Sequence, residues 1–118
     1  PLPDYFQGKS LLPILSGDSH GNDHRDFVRS EYFDALDPHF TGGNGTYATM
    51  HRTKSHKLCV YHGKGVGELF DLEKDPWEHE NLWHDQEHSE IKNQLLAESF
   101  DAHVLLTTDV GSRRIAPM

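Results

Sequence analysis

Ten histidines in a chain of 118 residues are the side chains with the most evident capacity for chemistry. Two pairs, His20 with His24 and His84 with His88, have the i, i+4 spacing at which a helix presents two imidazoles to one metal ion. Gly21 inside the first pair favours a loop over a helix. The second pair lies before a predicted helix and lacks the glutamate that follows the first histidine in zinc peptidases. Neither pair predicts a metal site.

Cys59 is the only cysteine, which excludes an internal disulfide and a zinc site built from several thiolates. It lies in the middle of a segment with strand character, where a lone cysteine usually packs as a small apolar side chain. We therefore expect Cys59 to be a small, buried apolar side chain.

The charge and length of the chain exclude several classes of protein. Nineteen acidic residues against eleven basic ones leave a formal net charge of −8 at pH 7, whereas binders of nucleic acid and of anionic membranes present a basic face. No apolar run approaches the roughly 20 residues that span a bilayer, and the N-terminus does not resemble a signal peptide. Because the chain begins without methionine, we expect a single soluble domain that belongs to a longer protein.

Four segments have the alternation and residue types of strands, at residues 27–33, 46–53, 57–62 and 68–72. Loops that contain glycine separate them, which is typical of antiparallel neighbours because parallel pairs need crossovers of a dozen residues or more. The sequence therefore predicts a four-stranded antiparallel sheet.

A long helix is predicted over residues 87–107, where Leu96, Phe100 and Val104 recur at i, i+4 and i+8. Further apolar residues widen this stripe: Ile91, Leu95, Ala102 and Leu106. A helix with one apolar face must cover another element, and the sheet is the only candidate. We therefore predict an α+β fold, in which the four-stranded antiparallel sheet packs against the long C-terminal helix.

Residues 71–83 have the local features of a capped turn. Asp75 suits a helix N-cap, Pro76 suits the first helical position, and Glu78 stands where a capping-box carboxylate reaches back. We predict a short helix here that carries Trp77 and Trp83, and a structural rather than a chemical role for the segment.

The same residues resemble a known signature. Glu68 to Leu72 (ELFDL), Asp75-Pro76, Glu78 and Asn81-Leu82 are similar to the pattern ELYDLxxDPxExxNL near the C-terminus of sulfatases, in the alkaline phosphatase superfamily. The resemblance extends to three further segments in the family's order: residues 8–17 (GxSLLPLLxG), 29–32, and 50–53 with Lys57 (RTxxYK). It implies a sulfatase C-terminal subdomain at residues 18–118, preceded by a lead-in segment and a short helix at residues 1–17 that follow the catalytic domain.

The resemblance also implies the chemistry of a longer parent. Sulfatases use a formylglycine made from Cys or Ser within C/S-x-P/A-x-R, and a divalent cation, typically Ca²⁺, held by Asp and Asn side chains. In this chain Cys59 is followed by Val60, Tyr61, His62 and Gly63, and no Asp-Asn dyad is present. We expect neither cofactor in this chain, no catalytic or metal-binding residue, and no activity in isolation.

In sulfatases the loops of this subdomain often form part of the substrate-cleft rim. By that resemblance His20, His24 and Arg25 in one loop, and His39 in the glycine-rich loop at 37–45, are candidates to bind a sugar or an anionic substituent. The expected partners are the catalytic domain in cis and, for the parent, a sulfated small molecule or carbohydrate. An uncovered sheet face predicts possible self-association of the chain alone.

Two alternatives stay open. A related phosphodiesterase or phosphonate monoester hydrolase can share this C-terminal region. The chain could also be a free-standing, non-catalytic binding module.

Overall fold

The computed structural model describes residues 7–34 and 45–108. The chain starts with a short helix, α1 (Leu12–Leu15), and a 3₁₀ turn at Gly21–Asp23. Four strands follow: β1 (Phe27–Phe33), β2 (Tyr47–Thr53), β3 (His56–Tyr61) and β4 (Val66–Asp71). A long helix, α2 (Ser89–Thr108), ends the described part of the chain.

The strands form one antiparallel sheet in the order β1-β2-β3-β4, which confirms the predicted four-stranded sheet. The turn between β3 and β4 places Gly63 and Gly65 at φ values of 74° and 70°, where residues with a Cβ are disfavoured. With glycine at both positions the chain reverses in four residues and pairs Tyr61 with Val66.

Residues directly opposite each other across antiparallel strands share one face of the sheet. Arg29 opposes His51, His51 opposes Leu58, and Leu58 opposes Leu69, so these four side chains lie on one face. This is the core face, because Leu58 and Leu69 pack there with Leu95 of α2.

The core consists of Leu58, Leu69 and Leu95, which are 1%, 0% and 2% exposed. Partly buried apolar side chains surround them: Val60, Leu82, Trp83, Ile91 and Leu96. The beginning of α2 therefore covers the β3–β4 half of the core face, which confirms the predicted packing of helix on sheet.

The buried line of α2 differs from the predicted stripe. Leu95, Ser99 and Ala102 are the buried positions, whereas Phe100 is 66% exposed and Val104 is 38% exposed. Apolar residues occupy more than half of the helix circumference, so their periodicity does not determine which line is buried. Leu106 lies outside the described side chains.

The predicted short helix after Asp75 is wrong. Residues 75–83 are irregular, with a turn at Pro76-Trp77, and Glu78 has a left-handed φ of 59°. The Asp75 carboxylate does cap, since it accepts the Glu80 backbone N–H at 2.8 Å. The Glu78 carboxylate instead forms an ion pair with Lys57. A helix this short is marginal by itself, and contacts with the sheet determine the local conformation.

The chain groups into two compact units. One contains residues 25–96, with the sheet and the start of α2. The other contains, of the described residues, 7–24 together with 97–108. The predicted division between residues 17 and 18 stays a prediction. Among the described residues, no helix combines the length and apolar character needed to cross a bilayer.

Candidate functional site

The loop at residues 18–25 carries three of the four predicted site residues. It begins where α1 ends, and Gly17 there adopts a φ of 83° that suits glycine. The backbone N–H groups of Asp18 and Ser19 donate to the Pro13 carbonyl at 2.8 and 3.0 Å. These bonds fix the direction in which the chain leaves α1.

His20 and His24 flank the 3₁₀ turn at Gly21–Asp23. His20 is exposed and precedes the turn, and its carbonyl accepts the Asp23 N–H at 3.0 Å. His24 is half-buried, and its carbonyl accepts a hydrogen bond from the Lys9 ammonium at 3.2 Å. One short turn thus carries both histidines, and the Lys9 ammonium bonds the backbone at its end. Imidazole and ammonium N–H groups can donate to an anion or a sugar hydroxyl.

The other two predicted site residues are placed differently. Arg25 is half-buried and is the first residue of the sheet-containing unit. His39 lies outside the described residues. The structure therefore brings His20 and His24 onto one turn, and the binding role of all four residues stays a prediction.

Across residues 7–34 and 45–108, no three His, Cys, Asp or Glu side chains lie close enough together to hold a metal ion. Of the histidines before α2, His88 has its Nδ1 atom 2.9 Å from Asp85 Oδ2. The Asp85 carboxylate also accepts the Glu87 backbone N–H at 2.9 Å. That backbone hydrogen bond and the contact with His88 lower the pKa of Asp85. The same two contacts hold the turn before α2.

Asn81, within the sulfatase-like signature, binds the outer edge of the sheet. Its Oδ1 atom accepts the backbone N–H groups of Leu69 and Trp83, both at 3.0 Å, and its Nδ2 atom donates to the Gly67 carbonyl at 3.2 Å. The Leu82 N–H donates to the Leu69 carbonyl at 2.8 Å. Together these bonds satisfy three backbone groups on the outer edge of β4, the Gly67 carbonyl and both groups of Leu69, which would otherwise be unpaired.

Gly67 is required by the packing on this edge. A Cβ built there would lie 2.6 Å from both the Cys59 carbonyl oxygen and Trp83 Cε3, closer than atoms approach in folded proteins. The absence of a side chain at Gly67 thus lets the Trp83 ring lie against β4 and next to the core.

Asp71 closes the turn after β4. Its Oδ1 atom accepts the backbone N–H groups of Glu73 and Lys74, both at 3.1 Å, and its Oδ2 atom lies 3.0 Å from the Lys74 ammonium. The side-chain and backbone hydrogen bonds from Lys74 lower the pKa of Asp71 below its ordinary value near 3.8. The charged carboxylate is therefore the form that stabilises the fold.

This lowered pKa predicts a specific acid sensitivity. A carboxylate with a depressed folded-state pKa contributes stability above its unfolded-state pKa, and loses it as the pH falls through the folded-state pKa. We expect Asp71→Asn to be less stable than the unmodified chain at neutral pH and to lose less stability below about pH 4. Denaturant unfolding at several pH values measures this. Asp101→Asn, the same change on an exposed position of α2, serves as the matched control for the loss of one carboxylate.

Cys59 is half-buried on the face of the sheet opposite the core face. Burial raises its pKa, so the thiol stays protonated at neutral pH and is a poor nucleophile. The side chain is less buried than predicted.

Several polar contacts were not predicted from the sequence. Thr49 Oγ1 lies 2.9 Å from His62 Nε2, the Arg29 guanidinium lies 2.6 Å from the Glu31 carboxylate, and Lys57 pairs with Glu78. The alternation of β1 indicates that Arg29 and Glu31 share a face. The other two pairs join distant segments, and no local pattern indicates them.

Comparison with known proteins gives matches of two kinds. In sequence, residues 1–103 match the family model described as N-sulphoglucosamine sulphohydrolase, C-terminal. An uncharacterized protein of Haemophilus influenzae is 33% identical over 97 residues, which cover 82% of this chain and 45% of that protein.

In structure, a 2-O GAG sulfatase matches 98% of the chain, with a TM-score of 0.76 and 27% identity, and the chain spans 24% of that protein. A protein in complex with its substrate, D-glucosamine-2-N,6-O-disulfate, matches 93% of the chain, with a TM-score of 0.70 and 20% identity; the chain spans 22% of it. The phosphonate monoester hydrolase of Agrobacterium radiobacter matches 84% of the chain, with a TM-score of 0.62 and 22% identity; the chain spans 21% of it. The last two likenesses establish a shared fold.

Proposed function

The chain belongs to the family of N-sulphoglucosamine sulphohydrolase C-terminal regions, and from this premise we propose that it is the C-terminal part of a sulfatase. The match over residues 1–103 is the observation that carries the proposal. Because the chain spans 24% of the 2-O GAG sulfatase, the remainder of the parent would contain the catalytic domain, in cis. In this proposal the chain packs on that domain, shapes its substrate cleft and is inert alone.

A formylglycine and Ca²⁺ are the groups that the family implies for the parent. Neither group fits the described residues of this chain, since they contain no cluster of metal donors, and Cys59 lacks the proline or alanine and the arginine that direct its conversion. A protonated, half-buried thiol also does not suit a nucleophile. We therefore assign both groups to the remainder of the parent.

The proposed substrate class is a sulfated amino sugar or a related glycosaminoglycan unit. The family description names N-sulphoglucosamine, and the 2-O GAG sulfatase is a structural neighbour at 27% identity. In this proposal His20, His24, Arg25 and His39 lie at the cleft rim, where their N–H groups would donate to sulfate oxygens or sugar hydroxyls.

Substitution of the rim residues tests their role in the whole enzyme. We expect Arg25→Ala to lower kcat/KM for the sulfated sugar by about tenfold, the effect of losing roughly 1.4 kcal/mol from one charge-assisted hydrogen bond. His39→Ala should have a smaller effect in the same direction. Lys64→Ala, which removes an exposed positive charge from the β3–β4 turn, serves as the matched control. An unchanged kcat/KM for both Arg25→Ala and His39→Ala would remove these residues from the substrate site.

The phosphonate monoester hydrolase shares the fold at 22% identity, so fold alone does not separate the two ester chemistries. The family match favours the sulfatase. The identity of the nucleophile in the parent would distinguish a sulfatase from a phosphonate monoester hydrolase.

The coding sequence upstream of the codon for Pro1 tests the proposal. We expect an open frame with C/S-x-P/A-x-R and aspartate-rich metal motifs. A threonine or an unmodified serine nucleophile would instead indicate phosphoester or phosphonate chemistry. A stop codon directly before a short leader would make the chain a free-standing binding module and overturn the proposal.

A further inference from the structure

Phe33 and Tyr47 place two exposed aromatic rings side by side at one end of the sheet. They oppose each other in the pairing of β1 with β2, and their ring centroids lie 6.2 Å apart with 32° between the ring planes. Phe33 is 45% exposed and Tyr47 is 49% exposed. Alternation along β2 from His51 puts both rings on the core face. We call these two rings the aromatic platform.

An oriented imidazole lies beside the aromatic platform. The His62 backbone N–H donates to the Tyr47 carbonyl at 2.8 Å, and the exposed His62 ring has its Nε2 atom 2.9 Å from Thr49 Oγ1. Thr49 comes two residues after Tyr47 on β2, so the two side chains share one face of the sheet. The contact with Thr49 therefore holds the imidazole on the face that carries the platform. An imidazole can donate a hydrogen bond to a hydroxyl or accept one from it.

Asp34 adds a carboxylate directly after Phe33. Its backbone N–H donates to the Thr46 carbonyl at 2.9 Å, and its φ of 46° is left-handed, a strained conformation that recurs at ligand sites. Asp34 is half-buried, and among residues 7–34 and 45–108 its Oδ1 atom has no hydrogen-bond partner. A carboxylate oxygen that is shielded from water without a donor is costly. A hydroxyl group of a ligand would supply that donor.

We propose that the aromatic platform, together with His62 and Asp34, binds a pyranose ring of the substrate next to the ring that carries the reacting sulfate group. This inference deepens the proposed function and rests on it. The C–H groups on one face of a pyranose carry partial positive charge and suit the electron-rich face of an aromatic ring. Its hydroxyl groups suit the carboxylate and the imidazole, and aromatic surface with a few convergent polar groups is the usual composition of a small-molecule site.

The Asp34 carboxylate also restricts what can occupy the site. An apolar protein surface over the platform would leave Asp34 Oδ1 without a donor, at a cost in free energy. A sulfate group beside Asp34 would be repelled by the like charge. The bound pyranose therefore presents hydroxyl groups, rather than sulfate, to Asp34.

Two substrates of the full-length parent test this site. They are N-sulfated glucosamine as a monosaccharide and a glycosaminoglycan tetrasaccharide that contains it. We expect Tyr47→Ala to raise KM for the tetrasaccharide about tenfold relative to KM for the monosaccharide, which corresponds to roughly 1.4 kcal/mol. Tyr47→Phe keeps the ring and should recover most of this loss. Asp34→Asn keeps a residue that tolerates a left-handed φ but removes the charge, and it should change the same ratio in the same direction.

Trp77→Ala is the matched control, because Trp77 is 81% exposed and comes after β4, at the other end of the sheet. A selective rise in KM for the tetrasaccharide with Tyr47→Ala but not with Trp77→Ala supports the sugar site. An unchanged ratio, or a loss as large with Tyr47→Phe as with Tyr47→Ala, overturns it. Equal losses on both substrates with a lower unfolding temperature would show that the platform packs against the rest of the parent, and this also overturns the sugar site.

Equilibrium binding of the tetrasaccharide to the parent separates this inference from the proposed function. If the parent releases no sulfate but Tyr47→Ala weakens binding about tenfold, the proposed function fails and the sugar site stands. If the parent releases sulfate and Tyr47→Ala changes neither the KM ratio nor the binding, the sugar site fails and the proposed function stands.

Discussion

Replacing Leu69 by alanine is expected to lower the free energy of unfolding by about 3 kcal/mol, within the range for fully buried leucines. Leu69 is 0% exposed, opposes Leu58 across the β3–β4 pair and packs against Leu95 of α2. Its truncation removes apolar contacts and leaves a cavity at the point where helix and sheet meet. Since domains of this size are stable by roughly 5–15 kcal/mol, the loss is a large fraction of the total.

Denaturant unfolding measures this loss as a lower midpoint with an unchanged m-value. Leu105→Ala is the matched control, because Leu105 is 68% exposed, and it should change the free energy of unfolding by less than about 0.5 kcal/mol. Equal effects of the two substitutions would contradict the assignment of Leu69 to the core.

Asn81→Ala is expected to have an effect of similar size, a loss of about 2–4 kcal/mol in the free energy of unfolding. The estimate follows from three hydrogen bonds to the Leu69, Trp83 and Gly67 backbone, each with a net contribution of about 0.5–1.5 kcal/mol. Asn81→Asp keeps the two acceptor contacts but lacks the N–H that donates to the Gly67 carbonyl. It should therefore be destabilised, but by less than Asn81→Ala at a pH where the aspartate is charged.

Asn93 offers a matched control on the same chain. It is exposed on α2, where alanine is the better helix former, so Asn93→Ala should be neutral or slightly stabilising. The unfolding temperatures of the three variants show whether Asn81 stabilises the fold and Asn93 does not. If Asn81→Ala unfolded at the same temperature as Asn93→Ala, the bonds to the edge of β4 would not contribute to stability.

The strands could be predicted from the sequence because their signals are local. Alternation and β-forming residues indicate β1 to β4, and glycines at positions such as Gly63 and Gly65 indicate where the chain reverses. The start of β4 at Val66, two residues before the predicted start at 68, lies within the ordinary uncertainty of strand boundaries.

The errors arose where tertiary contacts override local preference. The apolar residues of α2 permit more than one buried line, and the position of Leu95 next to Leu58 and Leu69 selects the observed one. After Asp75 the residue types favour the start of a helix, but the segment is irregular. The Glu78 carboxylate forms an ion pair with Lys57 of β3 rather than capping a helix. No pattern within either segment contains that information.

The signature shared with sulfatases was predicted to be structural, and its contacts agree. Asp71 closes a turn, Asp75 caps a turn, and Asn81 joins a loop to the edge of β4. The function of the candidate site was less predictable. The sequence predicts that residues 18–25 form a loop, but the short turn in it has no arrangement that is specific to one ligand. A binding role for His20 and His24 therefore depends on the proposed parent enzyme.

Sulfate release from N-sulfated glucosamine by the full-length parent tests the central claim most directly. We predict that the complete protein releases inorganic sulfate and that the 118-residue chain alone does not. Hydrolysis of a phosphonate monoester without release of sulfate, or sulfate release by the isolated chain at the rate of the parent, would contradict the assignment of this chain as the non-catalytic C-terminal part of a sulfatase.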